Sequence, residues 1–512
     1  MTVDIPVEAA VLKSWDDGTR STDPLRFEGY VVPDSTEESV RTGLVNLAGT
    51  KTAWIDCDFR RHGGTMGCVA GERIVRAFDR AMSLRAPVVV TVSSGGARLQ
   101  EGMLALLQMP RTTAALARHA SAGLLSAAYL HSPTTGGVFA SFVSLTDLRA
   151  AEPGATIGFG GPRVVAQVTG EYPPPDSHTA ESALRYGLVD AVVEPARAWL
   201  WLAAAVGARR APPLAVPDGR PAVPDSSPRH GAPYEHLLRA RSPDRPSGLE
   251  WAALLTDSWL EIAGADPAIR AGLATIDGQR LVVVAMDRFA GLARNGAPGP
   301  GAYRVAQRAI RLAGRLGLPV LTLVDTPGAD PAPPSEAGGV AGEIARTLLA
   351  LVELPTASVG LVVGEGGSGG AVALAHTDRL LMLDGSVFSV IGPEAGAAIL
   401  HHDAGRAPEL TRALRMLPAD LLGLGVVDQV VAERVTAVRA AVADALSGAR
   451  AGARDTRAAR ATAAALTCEP ARPGETRGPT RPDTDPEVRP APGPPYVHED
   501  EDVVRGSRKE TR

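Results

Sequence analysis

The residues best placed to do chemistry in this chain are glycines at the ends of apolar runs, not acids, bases or thiols. Residues 359–374 read VGLVVGEGGSGGAVAL: an apolar strand, a Gly run, then a small-residue helix. Residues 129–141, YLHSPTTGGVFAS, repeat that pattern. The first N–H groups of a helix have no intrahelical acceptor, and Gly lets a ligand approach them. Such a turn is suited to holding an oxyanion. Two more Gly-rich turns stand just upstream, SSGGARLQEG from Ser93 and DTPGADP from Asp325. A lone Gly pair more often serves a tight turn or close packing. Two matched pairs in one chain favour function.

Three other motifs compete. DTPG (residues 325–328) matches the DxxG element of nucleotide hydrolases, which requires a GxxxxGK[ST] loop upstream. The 52 Lys plus Arg include only Lys13, Lys51 and Lys509, and none lies in such a loop. The lysine shortage removes that reading. Residues 366–370, GGSGG, match the G-x-S-x-G nucleophile elbow, with Ser368 as nucleophile and Asp384 and His401 or His402 as triad partners. Against it, counting from the Gly pairs sets Thr135 opposite Ser368, so the pair is shared and the serine is not. His401-His402-Asp403 resembles a metal site, but adjacent helical histidines diverge and no HExxH is present; no metal is expected.

These turns need a scaffold, and the sequence repeats itself to supply it. Pro87-VVVTV and Pro319-VLTLV stand 232 apart, and the Gly136-Gly137 and Gly369-Gly370 pairs 233 apart. Gly161-Pro162 and Gly392-Pro393 stand 231 apart, and the Gly-Leu-Val-Asp and Gly-Val-Val-Asp units begin 238 apart at Gly187 and Gly425. Four landmarks in one order indicate two copies of one fold, too long a period for a solenoid. Residues 71–87 place Ile74, Val75, Phe78 and Met82 on one helix face, and residues 302–319 do so with Val305, Ala309, Leu312 and Leu316. Alternating strands and helices make each copy α/β.

The boundaries expected are an N-terminal extension at 1–39, a first domain at 40–208, a Pro-rich linker at 209–229, a second domain at 230–468 and a disordered tail at 469–512. The formal net charge of −5 offers no basic surplus for nucleic acid. Cys57, Cys68 and Cys468 form neither a CxxC pair nor a zinc spacing, which fits a reducing compartment. The acidic start is unlike a signal peptide, and no run of about 18 apolar residues suggests a membrane span. A cytoplasmic protein is expected.

With these residues in view, the sequence resembles a known family. GTMGCV (64–69), SSGGARLQEGMLALLQM (93–109), PTTGGVFASF (133–142) and AEPGATIGFGGPRVV (151–165) look like the carboxyltransferase β subunit of bacterial acetyl-CoA carboxylase. GPGAYRVAQRAIRLAGRLGLPVLTLVDTPGADP (299–331), GEGGSGGAVAL (364–374) and SVFSVIGPEAGAAIL (386–400) look like its α subunit. The resemblance covers about residues 40–440 and implies a β–α fusion.

It further implies two tandem crotonase-like ββα superhelix domains. The activity it implies is transfer of a carboxyl group from carboxybiotin to the α-carbon of an acyl-CoA, with malonyl-CoA formed from acetyl-CoA. Two oxyanions arise, on the thioester and on the ureido oxygen, and a duplicated fold offers a hole for each. By motif position these are Gly136 with Gly137, and Gly370 with Ala371, with Gly369 beside the second. The loop after the first strand implies CoA binding by Gly95, Gly96, Ala97 and Arg98, although Arg98 suits a buried ion pair equally well. The family's site lies between unlike halves of two chains, which implies a homodimer or larger oligomer.

There are departures. The β subunit's four-cysteine zinc finger is missing, since no cysteine precedes Cys57. The usually basic stretch before GPGAYRV keeps only Arg288 and Arg294. No Met-Lys-Met biotinyl site and no ATP-grasp region is present, so a biotin carboxyl carrier protein and a biotin carboxylase are expected as partners. A biotin-independent decarboxylase of a malonyl-type thioester, a serine hydrolase and a non-catalytic assembly protein are the alternatives.

Overall fold

The apolar runs after Pro87 and Pro319 become strands in which all seven residues are buried, as parallel strands covered on both faces should be. This computed structural model describes residues 9–15, 18–216, 231–290 and 296–466. The first copy forms one sheet from β1 (Ala9–Trp15), β2 (Val40–Leu47), β3 (Thr50–Cys57), β4 (Val88–Ser94), β5 (Ser126–Thr135), β6 (Leu148–Ala151), β7 (Ile157–Gly158) and β8 (Ala191–Val192). Across the sheet the order is β1-β2-β3-β4-β5-β6-β8, and β7 pairs with β5. The first three strands are antiparallel; β3, β4, β5, β6 and β8 run parallel.

The second copy uses β9 (Ser258–Ile262), β10 (Ile269–Ile276), β11 (Gln279–Met286), β12 (Val320–Thr326), β13 (Ser358–Gly367), β14 (Arg379–Leu383), β15 (Val387–Ser389) and β16 (Gln429–Val431). Its order, β16-β14-β13-β12-β11-β10-β9 with β15 on β13, is that of the first sheet read from the other edge. The helices predicted from spacing are Cys68–Ser83 and Pro300–Leu316. Pro300 occupies the first turn, and Gly317 at φ 69° closes the last, where a side chain would be strained.

The two copies share one core. Tyr129, Trp199 and Leu202 of the first belong to the same buried cluster as Tyr303, Ile310 and Leu260 of the second. Arg308, on the helix Pro300–Leu316, bonds Asp190 at 2.7 and 2.9 Å, and Arg315 on that helix bonds the Leu124 carbonyl at 2.8 Å. Both sheets belong to one unit that runs to Ala465.

Two segments differ from expectation. The first sheet begins with β1, inside the stretch read as an extension, because β1 pairs with β2 from Ala9 and buries Trp15. The Pro-rich stretch after 209 is partly structured. The Pro212 carbonyl accepts the Trp259 N–H at 2.8 Å, and Leu214 is buried. Residues 217–229, the tail at 469–512, Arg294 and Cys468 lie outside the described residues.

Candidate active site

In both sheets a turn leaves the central pair of parallel strands and lies over the start of a short helix. Ser94 on β4 stands opposite Thr134 on β5, and Thr326 on β12 stands opposite Gly366 on β13. These partners are 232 residues apart, one fewer than the Gly pairs. The helix Gly136–Phe139 begins at Gly136 with φ 64°, and the helix Ser368–Ala375 begins at Ser368 with φ 57°. The register therefore matches Gly136 with Ser368 and Gly137 with Gly369. Gly370 matches Val138. Matching the copies by glycine identity was one residue out.

Sterics explain the slip. A Cβ on Gly136 would stand 2.8 Å from the Gly96 Cα. One on Gly370 would stand 2.5 Å from the Ala329 nitrogen and 2.9 Å from the Tyr303 hydroxyl. Each copy thus needs glycine where its own covering turn comes closest, and the two turns come closest at different places. Ser368 and Gly369 are exposed, with nothing within 4 Å of a Cβ on Gly369.

The hydrogen bonds decide which N–H groups are open. The Gly136 N–H donates to the Phe159 carbonyl at 2.9 Å, so it is not a free oxyanion donor as the sequence had implied. Ala371, four residues past the N-cap Gly367, takes the first intrahelical bond by helix geometry and is fully buried, which removes it too. Gly137 and Gly370 remain in first-turn positions that lack an intrahelical acceptor.

The covering turns repeat one pattern. Gly95 donates to the Gly63 carbonyl at 2.9 Å, Gly96 to Ser94 Oγ at 3.0 Å and the Arg98 N–H to the Met66 carbonyl at 3.0 Å. Gly328 donates to Thr326 Oγ1 at 3.2 Å and Asp330 to the Pro298 carbonyl at 3.0 Å. The N–H groups between them, on Ala97 and Ala329, have no acceptor among the described residues and are half-buried. Each copy therefore sets one turn residue over the start of a short helix: Ala97 beside Gly137, and Ala329 beside Gly370, one residue further along than the register counterpart of Gly137. Ala329 was missed in the sequence, although it lies 232 residues after Ala97.

Arg98 is not a ligand-facing cation. Its side chain is 2% exposed and bonds Glu101 at 3.1 Å, Ser39 Oγ at 3.0 Å, the Tyr30 hydroxyl at 3.3 Å and, closely, Glu38. Burial opposes its charge, but the bond to Glu38 outweighs this and raises its pKa above the ordinary range. Arg288 is also structural. It donates to the carbonyls of Ala240 (3.0 Å) and Ser242 (2.8 Å) and reaches Asp325 at 3.4 Å.

Asp325 is fully buried under the second turn. Burial pushes its carboxyl up to about 6, against the pull of Arg288 and Arg245. Its Oδ1 accepts the Glu365 N–H at 3.2 Å, and its Oδ2 has no hydrogen-bond partner. The triad of the hydrolase reading is not assembled: Ser368 has no histidine partner among the described residues, and Asp384 accepts from the Glu433 backbone at 3.1 Å. The described residues hold no group of three or more His, Cys, Asp or Glu placed to ligate a metal.

Two α/β copies, each with an N–H-lined glycine turn at the end of its central strand, define a duplicated crotonase-type protein of the carboxyltransferase class. Known proteins agree. The family described as "Carboxyl transferase domain" matches residues 26–184, and "Acetyl co-enzyme A carboxylase carboxyltransferase-like" matches residues 230–456. The acetyl-coenzyme A carboxylase carboxyl transferase subunits beta/alpha of Salinispora arenicola (strain CNS-205) are 45% identical over 417 residues, 77% of this chain and 73% of theirs. A probable biotin-dependent acyl-coenzyme A carboxylase beta3 subunit of Mycobacterium tuberculosis (strain ATCC 25618 / H37Rv) is 38% identical over 403 residues, 78% of this chain and 80% of its own. Transcarboxylase 12S, solved with methylmalonyl-coenzyme A and methylmalonic acid bound, shares the fold at a TM-score of 0.68 and 21% identity, covering 88% of this chain and 86% of that one. The chain belongs to the acetyl-CoA carboxylase carboxyltransferase family, in the form that joins beta and alpha in one polypeptide, and it is a transferase.

Proposed function

We propose that the chain transfers a carboxyl group from carboxybiotin to the α-carbon of an acyl-CoA, acetyl-CoA to malonyl-CoA, with one oxyanion hole in each copy. The observation that carries this is one turn N–H in each copy without an acceptor among the described residues, Ala97 and Ala329, set beside a helix start at Gly137 and at Gly370, where Gly136 and Gly370 leave no room for a Cβ. Both oxygens that gain charge in this reaction, on the thioester and on the ureido group, call for donors of this kind. Each preorganised donor is worth about 10²–10³ in rate. Biotin, carried by a partner, supplies the carboxyl group and a ureido nitrogen able to take the substrate proton. That division of labour suits a site whose turns present backbone donors and whose nearby Arg98 is locked in a buried ion cluster.

The copies run as a beta-like domain over about 40–208, joined by β1, and an alpha-like domain over about 230–468. A biotin carboxyl carrier protein and a biotin carboxylase complete the system in the cytoplasm. No helix among the described residues is long and apolar enough to cross a membrane. Each copy exposes an apolar face beside its turn, with Phe159 and Val168 in the first and Val390 and Ile399 in the second. These faces suit burial against a second chain, giving at least a dimer.

The test is the reverse reaction. Purified full-length protein with malonyl-CoA and biocytin should form acetyl-CoA, and omitting biocytin should abolish it. Acetyl-CoA formed equally without biocytin would show a decarboxylase instead, and no product under either condition would overturn the assignment.

A further inference from the structure

A cleft of about 1050 Å³ opens where the last helix of the first copy meets the first strand of the second, away from both glycine turns. Pockets that enclose small organic ligands have volumes of about 300–1,000 Å³. Its walls come from both copies: Val193 and Trp201 from the first, Leu260 from the second. They form an apolar body with an aromatic face.

Its charged groups are unbalanced. Among the lining carboxylates, Asp257 is engaged by Arg210 at 3.3 Å and by Arg439 at 2.5 Å. Arg197 and Arg209 have no ion pair among the described residues, and Glu194 is the remaining lining carboxylate. A side chamber of about 300 Å³ shares Arg209 and Leu260 with the main cleft and adds Arg280. Arg280 has no ion pair among the described residues either, and Arg209 and Arg280 are both exposed at the rim. Three exposed cations, Arg197, Arg209 and Arg280, against one unpaired carboxylate, Glu194, give the opening a net positive charge that favours an anionic head group.

We propose that this cleft binds an anionic amphiphile. Its chain or ring would lie against Val193, Trp201 and Leu260, and its phosphate or carboxylate head on Arg209 and Arg280. Because both copies supply walls, an occupant would tie the two together at a point remote from the transferring groups. The proposal goes beyond the carboxyltransferase reading, and its readout is binding alone, so it stands or falls apart from turnover.

The experiment titrates the full-length protein with dodecyl phosphate below its micelle concentration, by calorimetry and by tryptophan fluorescence. Dodecanoate, inorganic phosphate and dodecyl maltoside serve as the carboxylate, head-only and neutral-chain arms. The expected result is saturable binding of one dodecyl phosphate or dodecanoate, with the two partial probes at least tenfold weaker. The double variant Arg209→Gln/Arg280→Gln should bind at least tenfold more weakly at an unchanged melting temperature. Trp201→Phe should keep the heat and lose the fluorescence change. No saturable heat from either complete amphiphile, equal affinity for a partial probe or in the double variant, or a fluorescence change that survives Trp201→Phe would each overturn the proposal.

Discussion

The two glycine turns have one backbone and two means of support. The first is bolted from outside by Arg98, whose guanidinium reaches Glu38, Glu101 and Tyr30. The second has Asp330 at the equivalent position, 232 residues on. That carboxylate turns inward to the Ala332 N–H and, closely, to the Ser335 hydroxyl. The glycines differ as well. The first turn needs Gly136 against Gly96, while the second needs Gly370 under Ala329. What the copies preserve is a turn N–H, Ala97 or Ala329, over the first turn of a short helix; the helix residue beneath it shifts by one, and the side chains around it are free to differ.

This contrast can be broken experimentally, starting with its strongest element. Arg98→Met should destabilise the chain by about 3–5 kcal/mol, because Glu38 and Glu101 would stay buried without their partner. Asp330→Asn should cost about 1 kcal/mol, as the loss of a local hydrogen bond does. Chemical denaturation of the two variants measures the difference, and equal losses would dissolve the contrast.

Gly370→Ala should lower carboxyl transfer about 100-fold or more, because the new methyl group drives the Ala329 donor away. Gly137→Ala should lose about tenfold or less, since its nearest obstacle, at 3.1 Å, is the flexible Met109 sulfur. Steady-state rates of the two variants rank the holes by steric tolerance.

Asp325 sharpens the comparison through pH. Its carboxyl is raised from 3.8 to about 6, so the folded state holds a proton that the unfolded chain releases near 3.8. That contribution is complete below the lower value and fades as pH rises toward 6, by about 3 kcal/mol at most. Stability of the wild type relative to Asp325→Asn should therefore fall across that window and stay level above it. Parallel denaturation curves at pH 4, 5, 6 and 7 check the sign. Smallest is Ser368→Ala, which should keep transfer within about threefold, because the first copy has glycine there; a loss beyond about 10³ would restore the nucleophile.

Much of the fold was legible because duplication writes itself twice. The runs after Pro87 and Pro319 and the helices at Cys68 and Pro300 stand 232 apart, and parallel strands buried on both faces show as unbroken apolar stretches. The glycine turns were found for the same reason. Their register was not, since glycine marks where backbones touch, and the two turns touch at different residues. Arg98 was open between two readings because its partner Glu38 lies 60 residues away, in a stretch with no motif. The same stretch hid β1, whose pairing depends on a partner strand and not on its own pattern. Ala97 was named from the sequence as a CoA-binding candidate and Ala329 was not, because a backbone N–H is carried by any residue type and its lack of an acceptor shows only in the geometry.

The central claim is that each copy holds one developing oxyanion, and a crystal structure of the full chain with an acyl-CoA tests it most directly. The account predicts the thioester oxygen within hydrogen-bond distance of the Ala97 and Gly137 N–H groups, with the Ala329–Gly370 pair left for the ureido oxygen. A thioester bound away from both turns would contradict it.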